Sequence, residues 1–356
     1  MTFHRANNFG AVMQAYALQR YLMSCGHEAL IIDYRCKAIE RQYDIVNPRI
    51  LWSRKNVLIS LKNYLQRILN CRSLYQKRIG FEHFRQNHLI LTEPVNCLNQ
   101  AKEFDAYISG SDQVWNIYIT GGVDQSYFLF DLSSNNAKRI AYAVSSSDDV
   151  SVFDSHFSEI LSYISKFDSI SVREDSLKEY LAPRVKQDVR VCVDPCFLLN
   201  AKDFDVLAKK ENVAKPYILV YQMTRVDVAD VVAEALARKY GLDVIFYYGG
   251  TAPHKRNHSV IKDPLDFLGK IKGAEMILTT SFHGIVFSTI FEKKFWAFNY
   301  DGNERQRNVL NLLKLQNRMV DSVDDVPWME EIDYTDVHRA LYNVVEESKR
   351  FLLESL

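Results

Sequence analysis

The chain has 356 residues, 47% hydrophobic and 25% charged, a length that favours two domains over one core and a composition that excludes disorder. Its 44 Lys and Arg balance its 44 Asp and Glu, so no global field argues for nucleic acid and no nucleic-acid partner is expected. Six scattered cysteines form no C-x-x-C pair and no zinc-ligand spacing, no apolar run is long enough to span a bilayer, and the N-terminus lacks a signal-peptide core, which together predict a cytoplasmic protein with reduced thiols.

Met1-Thr2-Phe3-His4 reads as a stub of a first strand, ~5 residues short of a usual one. The loop that follows, Asn7-Asn8-Phe9-Gly10, opens the helix Ala11–Leu22. The unpaired N–H groups of that helix start suit a phosphate, a carboxylate or a sugar hydroxyl, which makes Asn8 and Gly10 binding candidates; a simple turn is about as good a reading. Ala29–Tyr34 reads as a buried strand. Residues 49–90 then set Arg49, Arg54, Lys55, Lys62, Arg67, Arg72, Lys77, Arg78 and Arg85 against one acid, Glu82, with apolar residues at helical spacing. That pattern predicts a basic amphipathic helical insertion, either packed on the first domain with its charges in water or docked on anionic lipid.

Strands are expected at Ala106–Ser109, Arg139–Val144 and Ser169–Val172, and a helix over Val152–Ile164. The element Gly110-Ser111-Asp112-Gln113-Val114-Trp115-Asn116 leaves the first of these strands at its carboxyl edge, where open α/β sheets bind ligands. Asp112 there is a candidate base for a hydroxyl or a cap for the next helix, and Trp115 belongs in the core sooner than under a sugar. Arg173 follows another strand, with a guanidinium that can clasp a carboxylate or phosphate through two hydrogen bonds or pair with Glu174 or Asp175.

Past Pro216 the rhythm resumes, with strands at Tyr217–Tyr221, Asp243–Tyr247, Met276–Thr279 and Lys294–Phe298 and a helix over Val226–Tyr240. Thr279-Thr280-Ser281-Phe282-His283-Gly284 joins strand to helix, placing His283 in a first helical turn, a position better suited to binding or proton transfer than to bare packing. His254 and His258 flank Lys255-Arg256 at a spacing that could suit metal ligands on a helix, but the loop context favours a solvated basic turn. Asp336–Leu353 is a closing helix that packs back on one domain or the other. No Gly-x-Gly-x-x-Gly, Walker-type or Gly-x-Ser-x-Gly signature is present, which lowers dinucleotide, NTPase and serine-hydrolase readings.

Taken together, Asn8–Leu18, Gly110–Asn116, Val172–Ser176, Val193-Asp194-Pro195 and Ser281–Ile285 resemble the polysaccharide pyruvyl transferase family. The resemblance implies two Rossmann-like α/β domains facing a cleft, similar to the GT-B glycosyltransferases, divided here as 1–197, with the basic insertion at about 49–90, and 198–356, with the closing helix. It implies phosphoenolpyruvate as donor substrate, no cofactor or metal, and a glycan acceptor that receives the pyruvyl group as a ketal. Catalytic positions carried over are His283, Asp112 and Arg173; binding positions are Asn8, Gly10, Ser111, Gln113, Asn116, Ser281 and Arg307. The acceptor of such an enzyme can be lipid-linked, which would bring the protein to anionic lipid at the inner face of the cell membrane. Ser281 departs from relatives that carry Arg there, so donor charge has to come from Arg305, Arg307 or Lys255, and the short first strand predicts a weakly anchored Asn7–Gly10 loop. Two rival readings remain: a nucleotide-sugar glycosyltransferase of the GT-B type, and a non-catalytic glycan-binding member of the family.

Overall fold

A computed structural model describes residues 1–44, 64–65, 68–132, 136–146, 150–211, 215–249, 261–321 and 326–356. Its strands are short apolar runs buried on both faces, as parallel sheets covered by helices require. The first sheet takes β1 (Ala106–Ser109), β2 (Lys138–Val144), β3 (Ser169–Val172) and β4 (Val189–Val191), side by side in that order. The second takes β5 (Tyr217–Gln222), β6 (Asp243–Tyr248), β7 (Met276–Thr279), β8 (Lys294–Phe298) and β9 (Met319–Val320), in the order β6-β5-β7-β8-β9. Every pairing in both sheets is parallel. Two parallel sheets with helices between their strands are compatible with the Rossmann-like pair expected from the sequence.

Three expectations change. Ala29–Tyr34 makes isolated parallel bridges, Ile31 to Leu91 and Tyr34 to Val95, instead of a strand; Pro94 between the two bridges has no N–H to continue the ladder. Val150–His156 winds as a 3-10 helix before the α-helix Phe157–Ile164. Met1 ends up as the pairing neighbour of β1, its N–H₃⁺ donating to the Ile108 carbonyl at 2.7 Å and its carbonyl accepting from Gly110 N at 2.9 Å.

Helices α1 (Phe9–Ser24), α2 (Cys71–His88) and α3 (Pro264–Gly273) meet on one ring. Phe9 is stacked between Phe81, 5.1 Å away, and Phe267, 4.8 Å away, so the start of α1 is pinned to elements from both halves of the chain. Helix α4 (Phe282–Ile290) follows β7, and α5 (Tyr334–Ser355) closes the chain. The closing helix does not choose one sheet. Tyr334 Oη donates to the Lys293 carbonyl at 2.7 Å beside β8, while Ser348 Oγ accepts from Val193 N at 3.0 Å just after β4.

Of the basic segment, α2 and residues 64–65 and 68–69 are helical; Arg49, Arg54, Lys55, Lys62 and Arg67 lie outside the described residues, as do His254, Lys255, Arg256 and His258. Phe9→Ala is expected to cost about 3–5 kcal/mol, the usual price of removing a buried aromatic ring, read as a lowered midpoint of urea unfolding.

Candidate active site

In parallel sheets all strands point the same way, so the loops at their carboxyl ends share one edge. Gly110–Asn116 leaves β1 there, Arg173 leaves β3, Asp194 follows β4, and Thr280–His283 leaves β7. The two sheets turn these edges toward each other. Asp194 Oδ2 is the meeting point: Arg173 Nη1 donates to it at 3.0 Å, and His283 Nε2 lies 3.4 Å from it. The second contact is within ion-pair reach but off the line a hydrogen bond needs, so His283 Nε2 is buried without a hydrogen-bond partner. Arg173 Nη2 is buried without one as well.

The rest of the guanidinium is committed. Its Nε donates to Glu174 Oε1 at 3.0 Å, the pairing anticipated as the alternative to ligand binding, and its Cζ lies 4.4 Å from the Phe282 ring centre. Glu174 Oε1 also accepts from Ser145 Oγ at 2.8 Å, and Asp194 Oδ1 from Cys196 N at 3.0 Å. All four ionisable groups are buried. Burial alone would raise both carboxyls; His283 and Arg173 outweigh it at Asp194 and hold that group below the usual carboxylate range, whereas at Glu174 burial wins and the group is raised despite Arg173 and Arg305.

The Gly110–Asn116 element is used mostly by the fold. Ser111 is fully buried, its Oγ donating to the Ala143 carbonyl at 2.8 Å, and Gln113 Nε2 donates to the Ser146 carbonyl at 2.7 Å. Asn116 caps the next helix, its Oδ1 accepting from Tyr118 N at 3.0 Å, which leaves Asp112 free of that duty. Trp115 is core, stacked on Phe128 at 5.2 Å. Asp112 sits at φ 70°, a left-handed position that Asp tolerates better than most residues. Its carboxylate makes no hydrogen bond among the described residues, and its charge acts on Arg173 and on the Tyr43 phenol, which burial chiefly, and Asp112 after it, keeps above the ordinary range.

Gly10 is required by contact. A Cβ on it would lie 2.0 Å from His283 Nδ1, so the start of α1 touches the imidazole with bare backbone. Asn8 caps that helix through Ala11 N at 3.3 Å. The loop is not weakly anchored: Arg85 donates to Asn7 Oδ1 with both terminal nitrogens at 3.2 Å, and Arg5 clasps the buried Asp33, which also receives His4 at 3.0 Å. Side chains thus do what the short strand does not.

Ser281 caps α4 through Gly284 N at 3.2 Å and donates no charge. Among the three proposed replacements, Arg305 is close enough for its charge to act on Glu174, Arg307 turns away to Asn303 Oδ1 at 3.1 Å and Asp321 at 3.8 Å, and Lys255 is not described. Asp194, Cys196 and His283 bring their ligating atoms within 4.8 Å of one another. A cation would have to displace Arg173 from Asp194 and ionise a thiol that burial pushes well above its ordinary range, so this trio is better suited to an anion beside it. Asp194 and Tyr43 are the neighbours to which sequence reasoning gave no role; the Val193-Asp194-Pro195 motif, one strand after Arg173, was the signal for the first. A groove of about 890 Å³ runs along the open edge of β1, between Leu30–Ile32 and Ala106–Ile108, and is lined by none of Asp112, Arg173, Asp194 and His283.

The polysaccharide pyruvyl transferase sequence model matches residues 8–302, which takes in every strand-end loop of the centre. No curated protein matches the chain significantly.

Asp194→Asn removes one of the two carboxylates that face the buried Arg173, leaving Glu174 alone against it, and is expected to cost about 3–5 kcal/mol at neutral pH. Because the native carboxyl is held below its unfolded value, that advantage is complete above about pH 4 and fades as pH falls through the native pKa. Unfolding curves of the two proteins should therefore converge in acid.

Proposed function

Since the chain belongs to the polysaccharide pyruvyl transferase family, we propose that it moves a pyruvyl group from phosphoenolpyruvate onto a glycan acceptor and closes a ketal on two of its hydroxyls. The observation that carries this reading is that two buried nitrogens, Arg173 Nη2 and His283 Nε2, make no hydrogen bond among the described residues although both side chains stand against one carboxylate oxygen. Buried polar atoms without partners are rare, and two together favour an anion between the sheets.

Arg173 Nη2 takes an oxygen of the donor's carboxylate or phosphate, and His283 supplies a proton to the donor's methylene carbon, leaving C2 cation-like. An acceptor hydroxyl adds to C2 and its proton passes to Asp112. Phosphate leaves with its bonding pair and takes up the proton held by Asp112, and the second hydroxyl closes the ketal as its proton returns to His283, so one donor and one diol give one ketal and one phosphate. Asp194 holds Arg173 and His283 in register without touching substrate. Gly10 fixes the imidazole from the other side. Ser111, Gln113 and Asn116 act through the backbone they hold, and the acceptor reaches Asp112 beside Tyr43.

Incubation with phosphoenolpyruvate and a panel of galactosides should release phosphate and give a product with the mass of a ketal. His283→Ala and Arg173→Lys should each lower the rate about 10²-fold or more with the fold retained; full turnover in either removes the assigned role. Gly10→Ala should do the same by displacing His283. Thermal stabilisation by a nucleoside diphosphate sugar, with none from phosphoenolpyruvate, would hand the site to glycosyl transfer.

A further inference from the structure

Helix α2 has two faces with different duties. The inner one is spent on the fold: Phe81 and Phe84 are buried, Arg85 holds Asn7, and Lys77 points its ammonium at the Tyr247 hydroxyl within about 6 Å of the Phe9, Phe81 and Tyr247 rings. The outer one is packed against no other element among the described residues. Along it and the residues before it run Ile68, Leu69, Arg72, Tyr75, Arg78 and Ile79, at the three- and four-residue steps that put side chains on one helical surface. Leu69 is 82% exposed and Tyr75 56%, and Ile68 and Ile79 are exposed too. Neither Arg72 nor Arg78 has an acidic partner among the described residues.

Scattered surface leucines mean little, but this cluster lies in the one stretch of the sequence with a strong charge bias. Between Asp44 and Glu82 there are eight Lys and Arg and no acid, in a chain that is otherwise balanced. We propose that this outer face of α2 docks the protein on an anionic lipid surface, the arginines at the headgroups and Leu69, Tyr75 and Ile79 in the acyl boundary.

Charge and apolarity together select that occupant. A polyanion in water would satisfy Arg72 and Arg78 but leave Leu69 and Ile79 in solvent. A second copy of the chain, meeting across a two-fold axis, would bring the same uncompensated arginines against these. An interface of anionic lipid takes up both kinds of side chain at once. The inference does not rest on the proposed reaction, because it concerns a face that shares no residue with the Arg173–His283 centre and is read by binding alone.

The test is flotation of the full chain with vesicles of phosphatidylcholine, with and without phosphatidylglycerol. Binding should require the anionic lipid and fall with salt. Arg72→Gln and Arg78→Gln should each weaken partitioning about fivefold, and Leu69→Ser with Tyr75→Ser should weaken it by a comparable factor. Thermal melts of all variants should match the parent, since the side chains are exposed. Equal binding to neutral vesicles, or none to either kind, overturns the proposal. So does a loss on removing the arginines with no loss on removing Leu69 and Tyr75, which would mark a soluble polyanion, or self-association abolished by Leu69→Ser, which would mark a second copy.

Discussion

The arrangement of the centre depends on one buried carboxylate. Asp194 is excluded from water yet ionised, because Arg173 and His283 stand against the same oxygen and the Cys196 amide serves the other. A charge so placed is tolerable only with its partners present, and the partners only with it. Arg173 comes from the end of β3, Asp194 from beyond β4 and His283 from beyond β7, so a single oxygen ties the first sheet to the second. The electrostatic requirement of one side chain thereby becomes a geometric requirement on two sheets.

Packing enforces the same closure from the side of α1. Phe9 is clamped between Phe81 and Phe267, and the next residue is a glycine whose missing Cβ lets the backbone lie on the imidazole of His283. Position 10 therefore senses position 283 with no tolerance for a methyl group. The Asn7–Gly10 loop would be a poor reference surface if it hung from a short strand alone, but Arg5, Asp33 and Arg85 fasten it through charge-assisted bonds.

Continuous apolar runs announced seven of the strands, because a strand buried on both faces has to be apolar throughout. The two that were missed, Val189-Arg190-Val191 and Met319-Val320, are too short for any period to show. Ala29–Tyr34 misled for the opposite reason: its composition is that of a strand, and Pro94 in the segment beside it breaks the ladder. At the site, Arg173 and His283 were legible from strand-edge placement. Ser111 and Asn116 show the limit of that signal, since a polar residue at a strand end serves the loop's own backbone as readily as a ligand. Asp194 was visible as part of a motif but not as the hub, because its role is defined by partners 21 and 89 positions away in sequence.

The centre is not the simple electropositive pocket that a search for an anion site suggests, since Glu174 and Asp194 accompany Arg173 and His283. The two acids differ in what they can do. Asp194 is held below the usual range and stays charged, while Glu174 is raised by burial and gains a proton more readily. An anion arriving at Arg173 Nη2 would raise Glu174 further, and protonation there would release guanidinium charge to the newcomer while leaving the Arg173–Asp194–His283 geometry intact. Environments that push two neighbouring carboxyls apart in this way separate a structural charge from an adjustable one. Ser281 contributes no charge of its own, so beside Arg173 the further guanidinium whose charge reaches these acids is that of Arg305.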